Sequence, residues 1–151
     1  MAKVLFFDID DVLFDTDNFI KSNLVDYKAF NDAKEVIKKI KKIKIAILSK
    51  GEREFQKQKL IKTGLSKYFN EEETYIVNEK GRELKQIFDK YKHFEKYILD
   101  DRIDNLEKIK KNDKTVRTIL IKRGRYRNLE SNFIPDFTIK NLGEILNIIN
   151  D

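Results

Sequence analysis

The sequence predicts an α/β fold in which a mainly parallel sheet of five or six strands lies between two layers of helices. Short apolar, strand-like runs alternate with amphipathic, helix-like segments along the chain. Such alternation is typical of parallel sheets with helical crossovers. The first run, residues 4–7, has four consecutive large apolar residues, as expected for a strand buried on both faces. We therefore expect a Rossmann-like, three-layer α/β/α architecture.

The predicted strands are short runs rich in Val, Ile, Leu and aromatic residues, which favour extended backbone and buried positions. They cover residues 3–9, 44–49, 74–77, 96–100, 116–121 and 137–139. Because helices separate these runs, we expect the strands to be parallel, with right-handed crossovers.

The predicted helices fill the intervals and carry apolar residues at helical spacing. They cover residues 31–42, 52–63, 82–91, 103–111 and 142–149. Asn31 or Asp32 can cap the first helix, and Gly64 ends the second. Residues 14–30 have weaker periodicity and follow an acidic cluster, so we expect a flap or loop over a site.

The composition fits one domain over residues 1–151 and excludes several kinds of site. There is no Cys, which excludes disulfides and thiolate metal sites, and a single His cannot form a multi-histidine zinc site. The net charge is +6, but acids and bases are interspersed, which favours solvated helix faces over a dedicated nucleic-acid surface. No apolar run has the length of a signal peptide core or a membrane span, so we expect a cytoplasmic protein.

Polar side chains lie at the carboxyl ends of four of the predicted strands. They are Asp8 with Asp10, Ser49, the turn at 78–80, and Asp100 with Asp101. The carboxyl ends of parallel strands share one edge of a sheet, and ligands bind there. We therefore expect these groups to converge on one site.

The residue types at this edge indicate phosphoryl chemistry. Crowded carboxylates are costly to bury unless a cation compensates them, and oxygen ligands suit Mg²⁺. A hydroxyl and an ammonium group beside the metal suit a phosphoryl group. One Asp can attack as a nucleophile and form an aspartyl phosphate, while a second Asp can protonate the leaving oxygen and then activate water.

In order and type, these groups resemble the motifs of the haloacid dehalogenase (HAD) superfamily. The four similar motifs are the Asp-x-Asp run at 7–13, the strand ending in Ser49 at 47–51, Lys80 before a helix, and the acidic run at 98–105. The segment at 53–69 is similar to the helix that usually follows the second motif. A single Asp-x-Asp would be a weak signal, but four motifs in this order over nearly the whole chain are specific.

The resemblance implies a role for each matching residue. Asp8 is then the nucleophile and a metal ligand, and Asp10 is the general acid and base whose backbone carbonyl also binds Mg²⁺. Ser49 binds a phosphoryl oxygen, and Lys80 neutralises the nucleophile and the phosphate. Asp101 is a further metal ligand.

Three other residues of these motifs have less defined roles. The resemblance makes Asp100 a neighbour of the metal ligands, with a contact through water. Asn105 lies where a second acid is common, and as an amide it orients the site without adding charge. Asp11 lies where the family commonly has Gly, and we expect the loop to tolerate it.

The resemblance, with an Asp at position 10, favours phosphomonoester hydrolysis. Family members that displace halide need no proton donor there, ion-pumping members carry Thr, and phosphomutases are a minor alternative. The sequence therefore predicts an enzyme, a Mg²⁺-dependent phosphatase that forms an aspartyl phosphate on Asp8. The intervals from Asp8 to Ser49 and from Ser49 to Lys80 are too short for the cap domain that the family often inserts, so we expect a capless member. Its open site then accepts a large substrate or is covered by a partner chain.

A basic loop at 122–127 follows the fifth predicted strand and should emerge at the same edge of the sheet. A solvated loop is the default interpretation. The alternative is that Arg123, Arg125 and Arg127 bind an anionic substrate, with Tyr126 available for stacking on a base. Nucleic acid is then one conceivable partner, while the oligomeric state stays open.

Two other functions compete with the phosphatase. One is a receiver-like signalling module, which also combines Asp, Ser or Thr, Lys and Mg²⁺ at strand ends, although its phosphorylated Asp should end a middle strand. The other is a catalytically idle HAD-like module that binds a protein or nucleic-acid partner through the basic loop. The sequence does not name the substrate.

Overall fold

A six-stranded, all-parallel sheet organises the molecule. The computed structural model describes residues 1–78 and 82–150. The strand order is β3-β2-β1-β4-β5-β6, so the first strand lies at the centre and the order reverses between β1 and β4. This confirms the predicted Rossmann-like fold class. The reversal matters because ligands bind at such switch points in open α/β sheets.

The strands and helices alternate along the chain, as the sequence predicts. The strands are β1 (Lys3–Phe7), β2 (Lys44–Lys50), β3 (Thr74–Val77), β4 (Glu95–Asp100), β5 (Arg117–Ile121) and β6 (Phe137–Ile139). The helices are α1 (Thr16–Lys21), α2 (Asn31–Lys39), α3 (Arg53–Thr63), α4 (Arg82–Lys90), α5 (Ile103–Asn112) and α6 (Ile145–Ile149). Observed and predicted bounds differ mostly by one to three residues, as hydrogen bonds at element ends are easily lost.

Strand β1 is buried on both faces of the sheet. Leu5 and Phe7 belong to one hydrophobic core, and Val4 and Phe6 belong to the other. This division follows from the alternation of side chains along a strand. It explains why the first run is continuously apolar, and it fixes β1 rigidly between β2 and β4.

The chain leaves the sheet after β1 in a compact turn. The predicted strand extended to Ile9, but the observed strand ends at Phe7. The backbone amides of Val12, Leu13 and Phe14 all point at the carbonyl of Ile9, which curls the chain instead of extending it. The polar residues of the acidic run therefore lie in a tight loop at the sheet edge.

Residues 14–30 contain the short helix α1 between irregular stretches. The predicted cap of α2 was wrong. The capping position of α2 is Phe30, and no side chain caps this helix. Asp32 accepts hydrogen bonds from Arg123 and from the backbone of Leu142 instead. By contrast, Gly64 ends α3 with a left-handed φ of 78°, as predicted.

The segments between the motif strands leave no room for a cap domain. Residues 15–43 contain only two helices and their connections, and residues 51–73 contain one helix and two short 3₁₀ turns. Within the described residues, no inserted domain therefore lies over the edge of the sheet beyond β1 and β4. Among residues 1–78 and 82–150, no helix has the length and hydropathy needed to cross a membrane.

Removing the Phe6 side chain should destabilise the fold strongly. Phe6 is fully buried, and the centre of its ring lies 5.2–6.5 Å from the centres of three other aromatic rings. We expect Phe6→Ala to lower the free energy of unfolding by about 3–5 kcal/mol, because it leaves a cavity in the core. Urea unfolding of both proteins measures the difference. Ile134→Ala is the control because Ile134 is 86% exposed, and a comparable loss in that variant would contradict the prediction.

Candidate active site

Three buried carboxylates meet where the central strands β1 and β4 end. Asp8 follows β1 directly, Asp100 is the last residue of β4, and Asp101 follows it. Because β1 and β4 are paired, one oxygen from each of these residues lies within 4.8 Å of the others. The backbone amide of Asp8 still donates to the carbonyl of Leu99 at 3.0 Å, which holds the cluster to the sheet.

Asp101 is the least compensated member of this cluster. Its Oδ2 atom is buried and has no hydrogen-bond partner among the described residues. Burial raises the pKa of Asp101, and the neighbouring charges of Asp100, Asp8 and Asp11 raise it further, to about 10. An all-oxygen set of crowded, buried carboxylates is the type of site that a hard divalent cation occupies. The residues present therefore fit Mg²⁺. The positive charge of a bound ion would favour the ionised form of Asp101 and so oppose the rise of its pKa.

Asp100 is held by the beginning of α5. Its Oδ1 atom accepts a hydrogen bond from the backbone of Arg102 at 2.9 Å. The side-chain nitrogen of Asn105 lies 3.5 Å from its Oδ2 atom, at the limit of a hydrogen bond. Asn105 thus orients an acid without adding charge, and Asp100 joins the cluster that was expected from Asp8 and Asp101.

The carboxylate of Asp10 lies away from this cluster, against helices α1 and α3. Its Oδ1 atom accepts from Thr16 Oγ1 and Lys59 Nζ, both at 2.7 Å, and its Oδ2 atom accepts from Gln56 Nε2 at 3.0 Å. Burial alone would raise the pKa of Asp10. The charge of Lys59 and the hydrogen bonds from Lys59, Thr16 and Gln56 outweigh burial and lower that pKa.

Ser49 is the buried polar residue near the end of β2. Its hydroxyl oxygen accepts a hydrogen bond from Gln56 Nε2 at 2.9 Å. The same nitrogen also donates to Asp10, so one side chain of α3 connects two of the residues that the sequence assigned to the chemistry. Lys80, the fourth predicted catalytic residue, lies outside the described residues.

Asp11 joins the acidic loop to the basic loop at the other side of the site. It is fully buried, with a left-handed φ of 55°, a backbone conformation that glycine adopts more readily than other residues. Its Oδ2 atom accepts from Arg125 Nε at 2.8 Å, and its Oδ1 atom accepts from the amide of Asp17. A Cβ atom on Gly124 would lie 2.3 Å from the Asp11 carboxyl carbon, so this close approach requires Gly.

Two of the candidate substrate-binding arginines lie in different surroundings. Arg125 lines a cleft of about 190 Å³ at the carboxylate cluster. Arg123 is instead half-buried, paired with both oxygens of Asp32 and with the carbonyl of Val12, and stacked 3.8 Å from the centre of the Phe30 ring. The cleft is lined by Asp8, Asp10, Lys50, Asp101, Arg102, Asp104, Asn105, Lys108, Arg125 and Tyr126. The structure therefore does not bring Arg123 to this cleft.

Residues 14–30, the predicted flap, are fastened beside the site. Phe14, Phe19 and Tyr27 form an aromatic cluster with ring centres 4.8–5.9 Å apart. Through Thr16 and Asp17, helix α1 contacts Asp10 and Asp11. The segment thus supports the acidic loop from one side.

Sequence reasoning missed Thr16, Gln56 and Lys59. Gln56 and Lys59 lie on the buried face of α3. Polar residues at those helical positions would normally be interpreted as solvated. The sequence did contain one signal: Gln56 and Lys59 are three residues apart and share a helix face with Leu60 and Thr63, which are buried.

The comparisons with known proteins concern structure, since no protein-family model matches the chain and no characterised protein matches its sequence significantly. A haloacid dehalogenase-like protein from Burkholderia xenovorans has a TM-score of 0.82 at 18% identity, covering 99% of this chain and 98% of that one. The fold is that of the haloacid dehalogenase superfamily.

Two further HAD structures agree with this assignment of the fold. YfnB from Bacillus subtilis, a HAD-hydrolase with bound magnesium, has a TM-score of 0.72 at 13% identity, covering 99% of each chain. The L-2-haloacid dehalogenase of Xanthobacter autotrophicus has a TM-score of 0.70 at 12% identity, also covering 99% of each chain. This likeness concerns the fold alone, so the residues of the site must indicate the reaction.

Replacing Asp101 by Asn should stabilise the metal-free protein at neutral pH. A raised pKa means that Asp101 favours folding fully below the pKa of the unfolded chain, roughly 4, and that this stability is lost as the pH rises toward about 10. Asn has no charge to lose. Thermal unfolding in EDTA should therefore show a higher Tm for Asp101→Asn than for the wild type, with a difference that grows from pH 5 to pH 9, roughly the middle of that window.

Mg²⁺ should narrow this difference, because it stabilises the wild type more than the variant. At about 100 times its Kd, a ligand of the folded state adds about 2.7 kcal/mol of stability. The wild type should gain this stabilisation, and Asp101→Asn should gain much less. Asp89→Asn, on the exposed side of α4, is the matched control and should respond like the wild type. Equal stabilisation of all three proteins by Mg²⁺ would place the ion elsewhere.

Proposed function

We propose that this chain is a Mg²⁺-dependent phosphatase that hydrolyses phosphomonoesters through an aspartyl phosphate on Asp8. The observation that carries the proposal is the buried cluster of Asp8, Asp100 and Asp101, in which an Asp101 oxygen lacks a partner within the described part of the chain. The HAD fold and the magnesium bound to YfnB support it.

In this proposal the carboxylates of Asp8, Asp100 and Asp101, with the backbone carbonyl of Asp10, hold Mg²⁺. The ion, when bound, neutralises the negative charge of the phosphoryl group and of the crowded carboxylates. Asp8 attacks the phosphorus atom, forming an acyl-phosphate bond while the ester P–O bond breaks. Ser49 donates a hydrogen bond to a phosphoryl oxygen, and Lys80 adds positive charge.

Asp10 acts as the general acid in the first half-reaction and as the general base in the second. It first protonates the leaving alkoxide, then removes a proton from the water that attacks the aspartyl phosphate and releases inorganic phosphate. The lowered pKa of Asp10 describes the site without substrate. A phosphate anion nearby disfavours a second negative charge, so substrate raises the proton affinity of Asp10.

Asp10 also favours the phosphatase over the dehalogenase reaction of some HAD neighbours. Halide leaves as a stable anion and needs no proton, whereas an alkoxide does. The donors around Asp10, namely Thr16, Gln56 and Lys59, hold a carboxyl group at this position and give it a defined orientation. A dehalogenase does not require an oriented proton donor, because the halide leaves without a proton.

The substrate in this proposal is anionic and can be large. In the described part of the chain, no inserted domain covers the cleft, and four cationic side chains line it. They are Lys50, Arg102, Lys108 and Arg125. Arg102 and Arg125 are also paired with acids, whereas Lys50 and Lys108 are exposed. A phosphorylated small molecule and a nucleic-acid end both fit such a surface.

Hydrolysis of p-nitrophenyl phosphate tests the proposed function. We expect turnover with Mg²⁺, none with EDTA, and a loss on the order of 10⁴-fold or more for Asp8→Asn, because that variant lacks the covalent nucleophile. Release of p-nitrophenolate measures the rate. Asp89→Asn should keep full activity, since Asp89 is exposed and belongs to none of the motifs. Turnover that survives in Asp8→Asn would refute the proposed nucleophile.

A further inference from the structure

Helix α3 directs two polar side chains into the protein, beneath the acidic loop. Gln56 is 2% exposed and Lys59 is 4% exposed. Burying an ammonium group is costly unless an opposite charge pairs with it. In the described part of the chain, the carboxylate that pairs with Lys59 is Asp10, at 2.7 Å. The Phe55 ring covers the ammonium group at 4.4 Å from the ring centre.

Gln56 connects this ion pair to Ser49. Its Oε1 atom accepts a hydrogen bond from Lys59 at 2.6 Å, and an ammonium group can only donate. The amide orientation of Gln56 is therefore fixed, and Nε2 must face Asp10 and Ser49, at 3.0 and 2.9 Å. Lys59 thus acts on Asp10 directly and also through the orientation of Gln56.

The three donors around Asp10 define the rotation of its carboxyl group. Thr16 and Lys59 occupy Oδ1, and Gln56 occupies Oδ2. Lys59 lies 49 residues away in sequence and is held by a packed helix, so its position does not depend on the acidic loop. Without Lys59, the loop would be held at this point by neutral donors alone, which bind a carboxylate less strongly.

We propose that Lys59 is a positioning residue that, together with Gln56, sets the orientation of Asp10 relative to Ser49 for protonation of the leaving group. This inference rests on the proposed function, because the role of Asp10 belongs to it. Lys59 itself touches neither the phosphate nor the leaving group in this proposal. Its contribution should therefore depend on how much the leaving group needs a proton.

The leaving-group dependence of kcat/KM tests this role. For these esters, kcat/KM reports the formation of the aspartyl phosphate, the step in which Asp10 protonates the leaving oxygen. Ethyl phosphate needs that proton, whereas p-nitrophenyl phosphate releases a stable anion. General acid catalysis contributes about 10²–10⁴-fold, so we expect Lys59→Met to lose roughly 10- to 100-fold on ethyl phosphate and only a few-fold on p-nitrophenyl phosphate.

Three further variants separate positioning from folding. Lys59→Arg keeps the positive charge and should recover part of the activity on ethyl phosphate. Lys57 lies on the same helix but pairs with Glu71, which is exposed. Lys57→Met should therefore match the wild type on both esters. Gln56→Met removes the connection from Lys59 to Ser49 and should show the same selective loss. It replaces Lys59→Met in the test if thermal unfolding shows that Lys59→Met does not fold.

Each outcome decides between the two proposals. A selective loss on ethyl phosphate in Lys59→Met or Gln56→Met supports the positioning role. The positioning role is overturned if both esters lose activity equally, if the ratio of their kcat/KM values stays unchanged, or if the dependence on the leaving group becomes smaller. The phosphatase proposal survives that result as long as activity still requires Asp8 and Mg²⁺. A wild type that hydrolyses neither ester overturns both.

Discussion

The repulsion among buried carboxylates at one edge of the sheet is the constraint on which the site depends. Parallel pairing of β1 and β4 brings Asp8 beside Asp100 and Asp101, and the loop after β1 adds Asp10 and Asp11. The chain compensates two of these acids with its own cations. Lys59 pairs with Asp10, and Arg125 pairs with Asp11. The buried Oδ2 atom of Asp101 has no hydrogen-bond partner among the described residues, so its negative charge is the one that a bound cation would neutralise.

Much of the fold could be predicted because it depends on local patterns. Continuous apolar runs identified strands buried on both faces, and the polar residues that end them identified the edge of the sheet where they converge. Asp8 and Asp101 are close together because β1 and β4 are neighbours in the sheet. The alternation of strands and helices predicted a shared edge for these residues, but it did not predict that these two strands pair.

The errors concern side chains whose partners are distant in sequence. Asp32 looked like a helix cap, but it pairs with Arg123, 91 residues away, and this pairing also removes Arg123 from the cleft. Lys59 and Gln56 looked like solvated helix positions, since only the packing of α3 beneath the acidic loop shows that they face inward. No local pattern contains such contacts, because they arise from how helices and loops pack on the finished sheet.

Stability alone does not explain the ion pair between Lys59 and Asp10. Desolvating two charges can cost more than their attraction returns, and hydrophobic residues often replace buried ion pairs without loss. A purely structural role would be met as well by an apolar pair against Phe14 and Phe55, whose rings already lie beside the ammonium group. What an apolar pair cannot do is hold a carboxyl group, through Gln56, in a fixed relation to Ser49. The pair is therefore better understood as part of the site than as part of the core.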